Sequence, residues 1–129
     1  MSVRFLQLDE VLALHADQIA RYGGSDGVRD LGLLESAVAT AEATFAGDYL
    51  HATLPEMAAA YHFHLASNHP FVDGNKRIAA AALFMFLFLN NHDLDCTEDE
   101  LVWLTLGVAT GDLTKSDVAV FIATHISEL

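Results

Sequence analysis

Cationic side chains are scarce in this sequence: 6 Lys and Arg stand against 18 Asp and Glu, a formal net charge of −12. A surface so acidic repels phosphate backbones and anionic headgroups, which excludes broad binding to nucleic acid or to a membrane surface. Cysteine is scarcer still. Cys96 stands alone, so no internal disulfide and no two-thiol zinc site can form, and a plain thiol remains. The longest apolar run, Ile78 to Leu89, has 12 residues, whereas crossing a bilayer takes about 20. No cationic leader with an apolar stretch and cleavage site opens the sequence, so the expected location is the cytoplasm.

Apolar side chains are abundant at 53% of 129 residues, enough to fill the core of a single domain spanning residues 1–129. After a short extended lead, Val3 to Leu6, Asp9 can cap a helix from Glu10 to about Arg21, which Gly23-Gly24 stops. The glycine-rich segment from Gly23 to Asp30 reads as a surface loop, and Asp30 caps a second helix through Leu33, Leu34, Ala37, Val38 and Ala41. Phe45 to Leu50 reads as an irregular connection. Thr53-Leu54-Pro55-Glu56 is a capping box that opens a helix from Leu54 to about Ser67. A helix through Leu89 follows the next loop and ends at Asn90-Asn91. Thr97 and Glu100 form a further capping box for a helix to about Thr110, closed by Gly111. The last helix begins at Lys115 or Ser116 and carries Val118, Phe121, Ile122 and Ile126 on one face. These signals predict a compact all-α bundle of six helices around a central buried helix. Trp103, Leu101, Leu104 and Leu106 are expected in its core.

The chain is organised around His69-Pro70-Phe71-Val72-Asp73-Gly74-Asn75-Lys76-Arg77, a polar loop that runs straight into the apolar helix from Ile78 to Leu89. The first turn of a helix presents unpaired N–H groups and the positive end of its dipole, so this junction is a ready anion site. Gly74 lets the backbone approach a ligand closely, and Lys76 and Arg77 add cationic donors. Cations are disfavoured at a helix N-terminus, so placing two of only six there points to a localised anion, most simply phosphate.

Each residue has a chemical reading beside a structural one. His69 can take the proton of an attacking hydroxyl, or merely pack near a helix end. Asp73 can offer a carboxylate to magnesium, or cap the following helix. Asn75 can donate its amide to a phosphate oxygen, and Arg77 can give two parallel hydrogen bonds as charge moves during transfer. Phe71 is expected to anchor the loop in the core, and Val72 points to no role. His62 and His64 raise the alternative of a transition-metal site, but positions i and i+2 diverge by roughly 200° on a helix, so packing is the simpler expectation. His15, His51, His92 and His125 carry no motif.

In these nine residues the sequence resembles the Fic family, whose fingerprint reads His-Pro-Phe-x-Asp/Glu-Gly-Asn-Gly-Arg-x-x-Arg. His69, Pro70, Phe71, Asp73, Gly74, Asn75 and Arg77 match, while Lys76 replaces the usual glycine and Ala80 the second arginine. Both departures are similar to the death-on-curing (Doc) branch, as are Arg21-Tyr22-Gly23-Gly24 and the small size. The resemblance implies an all-α Fic fold with His69 as general base, Arg77 as a second catalytic residue, Asp73 as magnesium ligand, and Gly74, Asn75, Lys76 and Arg77 holding the phosphates of ATP. It implies a toxin that moves the γ-phosphate of ATP to a hydroxyl of a host protein, elongation factor Tu, and arrests translation. Transfer of AMP is the alternative reaction, and a non-catalytic binding module the alternative of another class.

Many Fic proteins are restrained by an inhibitory helix reading Ser/Thr-x-x-x-Glu-Gly/Asn. Here the nearest match, Thr124 to Glu128, is followed by Leu129. The restraint is therefore expected from a separate antitoxin resembling Phd, folding as a helix into an apolar groove.

Overall fold

The computed structural model describes residues 2–129. Among the described residues there are six α-helices: α1 (Leu8–Tyr22), α2 (Leu31–Ala39), α3 (Leu54–Asn68), α4 (Asn75–Leu89), α5 (Glu98–Ala109) and α6 (Lys115–His125). The expected all-α bundle is what the chain forms. A 3-10 turn, Thr40–Glu42, continues α2.

Among the described residues, two small strand pairs were not expected. β1 (Thr44–Phe45) pairs antiparallel with β2 (Asp48–Tyr49), where an irregular connection was predicted. The turn between them, Ala46-Gly47, has positive φ at both residues, 52° and 88°, the backbone that joins two strands through a two-residue loop. β3 (His92–Leu94) pairs with β4 (Ile126–Glu128), so Ile126 belongs to a strand and not to the stripe of α6. Both pairs are too short for the alternation of apolar and polar residues that marks a strand in sequence.

The predicted caps hold at Asp30, which accepts from the Leu33 N–H at 3.0 Å, and at Thr97, which accepts from the Glu100 N–H at 3.1 Å. Asp9 is not the cap of α1. That helix starts one residue beyond Gln7, whose N–H donates to the Glu10 carboxylate at 3.0 Å, because Leu8 already packs against the core.

α3 runs through the middle of the bundle and touches α2, α4, α5 and α6. Met57 to His62, Leu65 and Ala66 are buried along it. α4, the apolar helix of the motif, lies against α3, and both helices carry small buried side chains, Ala58, Ala59 and Ala60 on one and Ala79 and Ala82 on the other. Small residues let two helices approach closely. α4 nevertheless keeps an exposed edge at Met85 and Phe88.

Trp103 and Leu106 do not enter the core. They are 59% and 49% exposed, while Leu104, Thr105 and Val108 face inward. At about 100° per residue, α5 cannot bury Leu104 and Val108 without turning Trp103 and Leu106 outward. Among the described residues no helix is long and apolar enough to cross a membrane.

Candidate active site

The loop between α3 and α4 is built by backbone pairing to the segment after α1. α3 is capped at its C-terminal end by His69, whose φ of 49° and ψ of 54° place it in the left-handed region. The last carbonyls of a helix need outside donors. Arg29 supplies them, giving Nε to the His69 carbonyl at 2.6 Å and Nη2 to the Asn68 carbonyl at 2.9 Å. The Pro70 carbonyl accepts from the N–H groups of Arg29 and Asp30, and the Val72 N–H donates to the Gly27 carbonyl at 3.0 Å. Phe71, at 1% exposure, anchors the loop as expected.

The second half of the loop closes on itself. The Asn75 carboxamide accepts from the Phe71 N–H and donates to the Phe71 carbonyl, both at 3.0 Å. Asn75 therefore shapes the loop; one amide proton remains for a ligand. Gly74 is the N-cap of α4 at φ 76°, and no side chain caps that end of the helix. The structural reading of Asp73 as N-cap does not hold. The amides of the first turn are left to face the cleft, with the helix dipole behind them.

Asp73 is exposed, and its two oxygens each accept one backbone N–H, Oδ1 from Gly74 at 2.8 Å and Oδ2 from Ser25 at 3.1 Å. These bonds, that from Ser25 first, hold its carboxyl below the usual aspartate range, with the charge of Arg77 adding to them. Arg77 donates Nη1 to the Gly23 carbonyl at 2.7 Å, which fixes the guanidinium against the end of α1.

The result is one cleft of about 230 Å³ bordered by His69, Val72, Asp73, Gly74, Asn75, Lys76 and Arg77. Every residue expected to act on a nucleotide lies on it. His69 and Lys76 are exposed there and Arg77 is half-buried. Beyond Lys76 and Arg77 lies a second groove of about 240 Å³ between α4 and α5, walled by Ala80, Leu101, Val102, Thr105 and Leu106.

An ionised carboxylate with a free lone pair on each oxygen suits a hard divalent cation. Among the described residues no group of three or more His, Cys, Asp or Glu could hold a metal ion, so a cation on Asp73 would complete its shell with phosphate oxygens and water, as magnesium does. His62 is fully buried against the Thr105 hydroxyl at 2.9 Å, and His64 lies 3.2 Å from the Lys115 ammonium.

Sequence reasoning missed Arg29, Gly24 and His15. His15 is buried at 1% exposure, stacked on Phe71 and hydrogen-bonded to the Asp73 carbonyl. Its signal was present: Val11, His15 and Ile19 recur every four residues on one face of α1. Arg29 was visible only as one of six cations, and its partners lie 39 and 40 residues away.

The pattern of the Fic/DOC family matches residues 5–87. The chain is similar to "Protein kinase doc" of Escherichia phage P1, 36% identical over 117 residues that cover 91% of each chain. It is similar to "Toxin Doc" of Mycolicibacterium smegmatis, 42% identical over 122 residues that cover 90% of each. With the motif loop built as a cleft at the start of α4 and the match running through most of the chain, this protein belongs to the Fic/DOC family.

Proposed function

We propose that this protein is a toxin of a toxin–antitoxin pair that transfers the γ-phosphate of ATP to a hydroxyl of a host protein, with elongation factor Tu as the target and translation arrest as the result. The observation that carries the reading is the single cleft on which an exposed imidazole, an ionised carboxylate, uncapped helix amides and two cations converge. The names of the two relatives, one a protein kinase and one a toxin, support the same reading.

In this mechanism the unprotonated His69 ring takes the proton of the target hydroxyl as its oxygen forms a bond to the γ-phosphorus. The bond between that phosphorus and the bridging oxygen breaks, and ADP leaves with the electron pair. Lys76, Arg77 and the N-terminal amides of α4 hold the phosphates in line and meet the negative charge as it shifts, which is most of what phosphoryl transfer asks of a protein. Asp73 would hold magnesium. Bound there, magnesium neutralises phosphate charge.

Lys76 borders both cavities, in place of the glycine usual in AMP-transferring relatives, and this favours binding of the triphosphate in the orientation that exposes its terminal phosphorus. Ala80 leaves the adjacent apolar groove open, and a helix of a Phd-like antitoxin would fill it against Leu101, Val102 and Leu106.

The test is incubation of the protein and purified elongation factor Tu with ATP labelled at either the γ- or the α-phosphorus. Label from the γ position supports the reading. Label only from the α position makes the protein an AMP transferase, and label from neither, with toxicity unaffected by His69→Ala, makes it a binding module.

A further inference from the structure

Among the buried polar side chains, His15 is the one that touches the motif loop. Its ring lies flat on Phe71, with centroids 3.7 Å apart and planes 8° from parallel. Nε2 stands 2.8 Å from the carbonyl oxygen of Asp73. A carbonyl has no proton to give, so Nε2 must carry it, and the ring is held in one donor orientation. Nδ1 faces the exposed Asp26 carboxylate at 3.8 Å.

Filling this space needs no polar group. A leucine or phenylalanine would pack against Phe71 without the cost of taking an imidazole out of water. What the imidazole adds is the donor, and the atom it meets belongs to the peptide between Asp73 and Gly74. Gly74 has φ of 76°, and a glycine accepts either sign of φ, so the local chain holds that peptide only through the bond from its N–H to the Asp73 carboxylate at 2.8 Å, and its carbonyl end is held by His15. Both the Asp73 carboxylate and the Gly74 N-cap hang from it. A Cβ on Gly74 would lie 3.5 Å from Nε2, which shows how closely the ring abuts the turn.

We propose that His15 is a positioning residue for group transfer: through its Nε2–H it locks the Asp73–Gly74 peptide, and so aims the carboxylate and the first amides of α4 into the cleft. This rests on the phosphotransfer reading above. His15 touches no reacting atom. Its effect falls on the rate of the positioned complex and leaves recognition of the protein substrate alone.

The experiment compares the wild type with His15→Leu, which removes the donor, and His15→Gln, which restores an N–H at similar reach without the ring. Transfer is followed below the melting midpoint of each variant. Loss of an outer-shell partner costs about 10–100-fold, so His15→Leu should lose that much in kcat while KM for the protein substrate holds, and His15→Gln should recover most of it. In the metal-free, nucleotide-free wild type, 15N NMR of the histidine rings should show His15 as the Nε2–H tautomer with a slowly exchanging proton. The inference is overturned by an Nδ1–H tautomer, by undiminished kcat in His15→Leu, or by a His15→Gln variant no better than His15→Leu, which would make the role one of packing. A wild type that transfers no phosphate sinks the phosphotransfer reading itself, whereas an active wild type with an equally active His15→Leu sinks only the role of His15.

Discussion

Gly24 lies so close to Asp73 that a methyl group on it would come within 2.5 Å of Asp73 Oδ2 and 2.9 Å of Arg77 Nη2. Its φ of 115° is a conformation that side chains rarely adopt. The second glycine after α1 is thus a spacer between an acid and a guanidinium, and the segment Gly23 to Asp30 belongs to the site as much as the motif does. Gly24→Ala should push the carboxylate and the guanidinium out of place and lower transfer by about tenfold or more, in line with an ångström-scale misplacement. Strain at that φ should add about 1–3 kcal/mol of destabilisation, measured as a lowered denaturation midpoint.

His69→Ala separates chemistry from folding. The side chain is exposed, so its removal should leave the melting temperature within the small range of surface substitutions. Losing a general base should lower the transfer rate by about 10²–10⁴-fold and abolish growth arrest in cells expressing the protein. Single-turnover kinetics with a saturating target would measure the first and a growth curve the second.

Asn75→Ala should fail in a different way. Its carboxamide holds both the N–H and the carbonyl of Phe71, so the substitution leaves two partly buried backbone groups without partners. Each such group costs about 1–3 kcal/mol, and a stability loss at the low end of the combined range is expected in urea denaturation, together with loss of transfer. A variant that keeps full stability but loses activity would instead show that the side chain acts on the nucleotide alone.

Burial of His62 and His64 makes stability depend on pH below neutrality. Burial pushes each ring from its usual value to about 4, so the folded protein resists a proton that the unfolded chain accepts at about 6.5. Stability should therefore be full above pH 6.5 and fall as pH drops from there towards 4, with a slope of about 1.4 kcal/mol per pH unit for the fully buried His62. His125 acts in the opposite sense, because its bond to the Phe121 carbonyl raises it and its contribution fades as pH rises. The carboxylates of Asp73, Glu10, Glu100 and Asp117 are held low and lose their contribution only at more acid pH. Chemical denaturation at several pH values should show a shallower slope between pH 6.5 and 4.5 for His62→Gln than for the wild type.

Much of the helical architecture was legible because its signals are local. Capping residues such as Asp30, Thr53 and Thr97 act within one turn of the helix they start. The two strand pairs escaped because strands of two or three residues are too short to show a period, and α1 began earlier than Asp9 suggested because Leu8 joins the core. Trp103 and Leu106 were placed inside on hydrophobicity alone, whereas the rotation of α5 about its axis depends on which face meets its neighbours.

By itself the sequence determined the family, the order of helices and the nine residues of the loop, since a contiguous motif at a helix start needs no distant information to be recognised. Tertiary structure alone decided what each of those residues leans on. Arg29 closes the end of α3, Gly24 sets the gap beside Asp73, and His15 reaches from α1 to a carbonyl 58 residues away. Such contacts arise when helices dock, and no local spacing records them.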